Sequence, residues 1–250
     1  MDEDGVQLNS YRFSRIERLI GADKLARLQD RLVTIVGLGA VGGYALEGLA
    51  RSGIRHFRLI DFDVISLENI NRQILALEST LGQAKTEAAS CRVKEINPAC
   101  EVEELNLFVD QHSLQQVLTP RPDLLIDAID TIGPKIELLA AAWQQEVPVI
   151  SSMGAALRTD PALIRTADLF ETSQCPLARR MRKKLRGRGI GQGITCVYSL
   201  EQAHSGFQKQ SSVSQNEEPG GKRIMGSLPT ITAIFGLTMA NLALARLADG

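Results

Sequence analysis

Cysteine is scarce in this chain, and none of it has the spacing that zinc binding or redox chemistry demands. Cys91, Cys100, Cys175 and Cys196 include no C-x-x-C pair, which excludes a zinc ribbon and a thioredoxin-type site. So few thiols, with no apolar stretch at the N-terminus, point to a reducing cytoplasm. An excess of either charge is also lacking. Lys and Arg number 28 against 29 Asp and Glu, so no global field draws the protein to nucleic acid or a membrane, and such binding needs a local patch. The histidines, His56, His112 and His204, are scattered and have no acid–base partner at a useful spacing. The most apolar segment, 224–248, is broken by Pro229 and Gly236 and carries Thr232, Thr238, Asn241 and Arg246. A buried or interface helix is expected there rather than membrane association.

What is present supports one full hydrophobic core: 250 residues, 44% of them hydrophobic. Ser14 and Glu17 have capping-box spacing, and Gly21 can stop the short helix they open. LVTIVG (32–37) reads as a buried strand, followed by a turn and a helix ending near Gly53. FRLID (57–61), CEVEEL (100–105), DLLIDAI (123–129) and VPVISS (147–152) read as further strands. Helices are expected at 83–97, stopped by Pro98, and at 135–145. This alternation predicts an α/β fold: a Rossmann-like, doubly wound, mostly parallel sheet with a C-terminal extension. Residues 1–250 are expected to form a single domain. Its parts are a nucleotide-binding core (12–160), a region with one basic helix at 168–190 (161–203), a polar mobile loop (204–223) and a C-terminal segment (224–250).

Gly37, Gly39 and Gly42 lie between the first strand and its helix. Glycines there let the backbone turn tightly and approach a phosphate at the helix N-terminus. Asp61 closes the second strand, where an acid can bind a ribose hydroxyl. Alone, this pattern does not separate a nicotinamide cofactor from ATP. The loop DFDVISLENINRQ (61–73) does, because Asp61, Asp63, Asn69, Asn71 and Arg72 share it, with Lys85 and Asp130 beyond. A triphosphate needs Lys and Arg against its oxygens and an Asp for magnesium; a hydride-transferring dehydrogenase does not.

RFSR (12–15), GLGAVGG (37–43), DFDVISLENINRQ, Lys85 and DAID (127–130) together resemble the ubiquitin-activating-enzyme-like adenylating superfamily. The resemblance implies an enzyme that uses ATP and Mg2+ to activate a carboxylate as an acyl-adenylate. It implies that Asp61 holds the ribose, that Asn69, Arg72 and Lys85 hold the phosphates, and that Asp130 holds magnesium, with Asp63 and Asn71 in the same site. It also implies a homodimer in which Arg15 reaches the partner subunit's ATP. Members that activate sulfur-carrier proteins usually carry two zinc-binding C-x-x-C pairs, absent here. SSMGAALRTDP (151–161), TSQCPLARRMRKKLR (172–186) and GSLPTITAIFGL (226–237) instead resemble the branch that dehydrates threonylcarbamoyladenosine at position 37 of tRNA.

A tRNA partner gives the basic helix a purpose. Arg179, Arg180, Arg182, Lys183, Lys184, Arg186 and Arg188 crowd one short stretch, while Leu177, Met181 and Leu185 form an inward face. Phosphate contacts from the cations would be salt-dependent; the alternative is a merely solvated helix. Cys175 precedes Pro176, a favoured first helical residue, so its thiol at a helix N-terminus near many cations is a candidate nucleophile. Ring closure within the substrate, however, needs no thioester. Cys91, Cys100 and Cys196 read as packing residues. Two other readings stay open: adenylation of the C-terminus of a ubiquitin-like or sulfur-carrier protein, and a non-catalytic nucleotide-binding adaptor for a sulfur-transfer protein.

Overall fold

The computed structural model describes residues 11–202 and 225–249; the segment 204–223, expected to be a mobile loop, and His204 with it lie outside these. Two short helices come first, α1 (Ser14–Ile20) and α2 (Ala22–Gln29). There follow β1 (Leu32–Val36), α3 (Gly42–Arg51), β2 (His56–Ile60), α4 (Lys85–Ile96), β3 (Glu101–Leu105), α5 (Leu114–Leu118), β4 (Leu124–Asp127), α6 (Ile132–Gln144) and β5 (Val149–Ser152). The chain continues through β6 (Ile164–Asp168), α7 (Pro176–Arg186), β7 (Thr195–Ser199) and α8 (Pro229–Asp249).

The sheet has seven strands in the order β3-β2-β1-β4-β5-β7-β6. Every neighbouring pair is parallel except β6 with β7. Helices cover both faces. Ile35, Leu59, Leu49, Phe235 and Met239 belong to one core, and Val36, Ile60, Leu125, Leu139, Met181 and Leu185 to the other. Adjacent strand residues such as Ile35 and Val36 therefore enter opposite cores, as a strand's twofold period requires. Val36 is in register with both Ile60 and Asp127, so β1, β2 and β4 end level. The chain order reverses at β1, and the loops after these three strands open onto one crevice.

Several local expectations change. Ser14 is not a cap: the N-cap of α1 is Phe13, with no side-chain cap bond. Phe13 is buried and its carbonyl takes the Glu17 N–H at 2.9 Å, so a tertiary anchor sets the helix start. Gly21 does stop α1, but α2 resumes at once. The basic helix is shorter than expected because Asp168 caps a 3-10 turn at Leu169–Glu171, and α7 begins only at Pro176. Residues 195–199 form β7, parallel to β5 and antiparallel to β6, and neither β6 nor β7 was expected from the sequence. Cys91 is exposed, not packed.

The C-terminal extension is α8. By length and composition it could cross a membrane, yet it lies against α3. A Cβ on Gly236 would sit 2.4 Å from the Val41 carbonyl, and one on Gly48 2.9 Å from Ala240 Cβ. Helices this close touch backbone to backbone, which fulfils the buried-helix expectation. The far end of α8 is fastened to α2 by Lys24–Asp249 (2.5 Å) and by Arg27 to the Ala248 carbonyl (3.1 Å).

Candidate active site

The glycine turn is closed to side chains where the backbone packs and open where a ligand would approach. Gly37 has φ +89°, and a Cβ there would lie 2.8 Å from the Ala128 carbonyl. A Cβ on Gly42 would overlap the Gly37 carbonyl at 1.8 Å, whereas one on Gly39 meets only Gln73 Nε2, at 3.9 Å. Nothing caps α3 with a side chain; the Gly43 N–H goes to the Gly39 carbonyl at 3.0 Å, and the positive end of the helix dipole faces the turn, where an anion is favoured.

Asp61 joins this turn to the acidic loop. Its Oδ2 accepts the Leu38 N–H at 2.7 Å and its Oδ1 the Asp63 N–H at 2.9 Å. Burial pushes its carboxyl above the usual range, partly offset by Lys85 and by these two N–H groups. Lys85, 5% exposed, binds Asp63 twice: Nζ to Oδ2 at 2.7 Å and its own N–H to the carbonyl at 3.0 Å. Its ammonium is thereby held beside Asp61 at the start of α4.

The other loop residues divide. Asn69 is buried and caps its own 3-10 turn, its Oδ1 accepting the Ser66 N–H at 3.2 Å. Arg72 is half-buried and rests on the Glu68 carbonyl (2.8 Å) and on Oδ1 of exposed Asn71 (3.0 Å). Gln73, which the sequence did not single out, is buried beside Gly39, and its Oε1 has no partner among the described residues. A buried amide facing the open side of a glycine turn is suited to a polar ligand. Asp130 follows β4, with its Oδ1 accepting from Thr131 Oγ1 at 2.9 Å.

Arg15 is not brought to this crevice. It is exposed on α1, a helix with no buried residue. Its neighbour Phe13 packs towards Gly53, and Arg12 donates to the Ile96 carbonyl. Gly53 precedes β2 and Ile96 precedes β3, so both anchors stand at the opposite end of the sheet from the glycine turn.

The seven cations after Pro176 also divide. Arg182 donates to Thr172 Oγ1 and, at 3.4 Å, to the Leu169 carbonyl. Arg186 lies 5.5 Å from the Phe170 ring centroid, and Arg188 pairs with Glu137, holding that carboxyl below its usual range. These three fasten the helix, while Arg179, Arg180, Lys183 and Lys184 are exposed. A surface cavity of about 370 Å³ is lined by Ile132, Arg180, Lys183, Lys184, Gly187 and Arg188. Ile132 opens α6, two residues after Asp130, so the cations adjoin the crevice. Cys175 is the N-cap of α7, as expected, but only 3% exposed; a substrate meets it only if that helix end moves. Cys196 is buried in β7, and burial pushes its thiol up to about 12.

Known proteins share this architecture. Residues 13–249 match the family described as the ThiF family. The chain is 41% identical to tRNA threonylcarbamoyladenosine dehydratase of Bacillus subtilis over 76% of its own length and 75% of the relative's. It superposes with a TM-score of 0.86 on the crystal structure of Escherichia coli tRNA N6-threonylcarbamoyladenosine dehydratase in complex with ATP, at 34% identity, covering 96% of this chain and 95% of that one. It is 36% identical to Escherichia coli molybdopterin-synthase adenylyltransferase, but over only 53% of this chain and 52% of that one. With its glycine turn, its level strand ends and its C-terminal helix all inside the matched span, the chain belongs to the ThiF family.

Proposed function

We propose that this chain is an ATP-dependent dehydratase of threonylcarbamoyladenosine in tRNA. The observation that carries the reading is the junction of two surfaces. A closed glycine turn with Asp61, Lys85 and Asp130 adjoins, through Ile132, the exposed cations of α7. A nucleotide site beside a polyanion-binding face suits a substrate that is itself a nucleic acid. Near-complete coverage of the dehydratase structure, against half coverage of the adenylyltransferase, supports the same choice.

The chemistry follows from the residues. The substrate's carboxylate attacks the α-phosphate of ATP and diphosphate leaves. A nucleophile within the same substrate then closes the ring, AMP departs, and the net loss is one water. Asp61 would accept the ribose hydroxyls, and Arg72 and Lys85 would neutralise phosphate oxygens. Asn69 and Asn71 would support the loop that carries Arg72, and Asp63 would hold Lys85 in place. Asp130 fits magnesium as a single hard oxygen donor. Among the described residues no three His, Cys, Asp or Glu side chains cluster, and Mg2+ needs only one or two carboxylates when phosphates supply the rest. Bound there, the ion would neutralise charge on the departing diphosphate. Buried Cys175 has no part in this scheme.

The placement of Arg15 supports a homodimer. Five-residue strands separate its end of the sheet from the crevice by about 16 Å, so it serves a nucleotide only in a partner subunit. The four unpaired cysteines fit a reducing compartment such as the cytoplasm.

The test is incubation with ATP, Mg2+ and tRNA bearing or lacking threonylcarbamoyladenosine. The expected result is AMP release only with the modified tRNA, with a nucleoside lighter by one water, both lost in Lys85→Ala and Asp130→Ala. No turnover with either tRNA would overturn the reading. It would leave a protein C-terminus as substrate, or an adaptor role towards a sulfur-transfer protein.

A further inference from the structure

Beneath the Asp130 loop lies a buried ionic cluster that the proposed chemistry does not use. Asp127, the last residue of β4, and Lys135 of α6 are both fully buried, with Nζ 2.7 Å from Oδ2. The same oxygen accepts from Ser151 Oγ of β5 at 2.6 Å. Asp127 Oδ1 accepts the Ile129 N–H at 3.1 Å, and Lys135 Nζ donates to the Ile129 carbonyl at 3.1 Å. One ion pair thus grips the peptide group entering Ile129 and the one leaving it. The second of these carries the nitrogen of Asp130.

Burying an ion pair is costly, and apolar residues of similar volume often serve stability as well or better. What they cannot do is fix a carbonyl and an N–H in space. Ala128, inside the gripped segment, is also the residue against which Gly37 packs. The cluster therefore sets the position of Asp130 relative to the glycine turn. Taking the adenylation reading as given, we propose that Lys135 is a positioning residue for adenylation. With Asp127 and Ser151 it locks the Ile129–Asp130 peptide, so that the Asp130 carboxylate meets magnesium-bound phosphate in one orientation. Lys135 touches no substrate and acts through Asp130.

Lys135→Met alone strands a buried Asp127, which can cost the fold. The decisive variant is therefore Asp127→Asn/Lys135→Met, which removes both charges and keeps side-chain size. Thermal melting establishes that it folds. We then measure kcat and KM for AMP release with modified tRNA, and the magnesium concentration that half-saturates ATP binding. The expected result is a fall in kcat of about 100-fold, the scale of a displacement near 1 Å. The half-saturating magnesium rises about tenfold and KM for tRNA stays within about twofold, while Lys135→Arg recovers part of the loss. A purely structural role would lower the melting temperature and leave the magnesium dependence alone. A folded double variant with kcat and half-saturating magnesium within about twofold of the parent overturns the proposal. Magnesium-dependent ATP binding needs no tRNA, so failure of the dehydratase reading and failure of the Lys135 role are separately visible.

Discussion

The Leu38 N–H and the Asp61 Oδ2 are 2.7 Å apart, and this one buried bond fastens the phosphate-facing turn to the loop that would hold the ribose. A raised acid is protonated at higher pH in the folded protein than in the unfolded chain. The contribution of Asp61 to stability is therefore present at low pH and lost as pH rises through its raised value. Ligand binding runs the other way, since only the ionised carboxylate accepts two ribose hydroxyls. ATP affinity is expected to weaken as pH falls from neutrality into the range where this raised carboxyl takes up its proton. In Asp61→Asn, affinity should be about tenfold weaker at neutral pH and nearly pH-independent. Calorimetric titration with MgATP reads both; a parent affinity that is flat across this range refutes the assignment.

The division of labour along α7 predicts two kinds of variant. Replacing Arg180, Lys183 or Lys184 with Gln should leave melting unchanged. Each replacement should also reduce the slope of log affinity for tRNA against log salt by about 1 for every phosphate that the cation neutralises. Arg182→Gln should instead lower the melting temperature, because Arg182 holds Thr172 and the Leu169 carbonyl. Equal salt slopes in all four variants would show that the exposed cations are only solvated.

Mixing separates action within a subunit from action across a dimer. Arg15→Ala and Asp130→Ala proteins are each expected to be inactive. After unfolding and refolding together in equal amounts, half the dimers are mixed, and each mixed dimer has one intact site if Arg15 serves the partner. Recovery of about a quarter of parental activity is expected from twofold symmetry. No recovery from a mixture that forms mixed dimers would show that Arg15 acts within its own subunit and would overturn its assignment to the partner's site.

Thiol reactivity tests the burial of the cysteines. Cys91 is exposed on α4, whereas burial raises Cys100 and Cys196, the latter to about 12. Brief iodoacetamide treatment near neutral pH should give one adduct, at Cys91, with the other three labelled only after denaturation. Rapid native labelling at Cys175 would show that the start of α7 opens readily and would restore that thiol as a candidate nucleophile.

How far the sequence could be read depended on the range of the interactions involved. The strands ending at Val36, Ile60 and Asp127 were legible because each is a short apolar run beside its own turn signal; the glycine turn is local backbone geometry, and Asp61 and Lys85 stood out by their place in the motif although their contacts span 23 and 22 residues. Lys135, Ser151 and Gln73 were not legible. The partner of Ser151 is Asp127, 24 residues away, and the two meet only because β5 takes its place beside β4. The helix boundary at Ser14 failed for the same reason: buried Phe13, not the local S-x-x-E pattern, fixes where α1 starts. β6 carries an irregular pattern with no buried residue, and its strand character comes from pairing with β7.

The contact of Gly236 with Val41 and Tyr44 has a consequence for synthesis. The turn at 37–42 emerges from the ribosome early, yet the helix that begins there, α3, is closed on one side by residues 229–249. Until that last stretch has been translated, Ala45 and Leu49 face water rather than Phe235 and Met239, and the nascent Rossmann-like half lacks a sealed face. Its folding unit extends through α8, which makes the interval before α8 appears the time when a chaperone has most to shield.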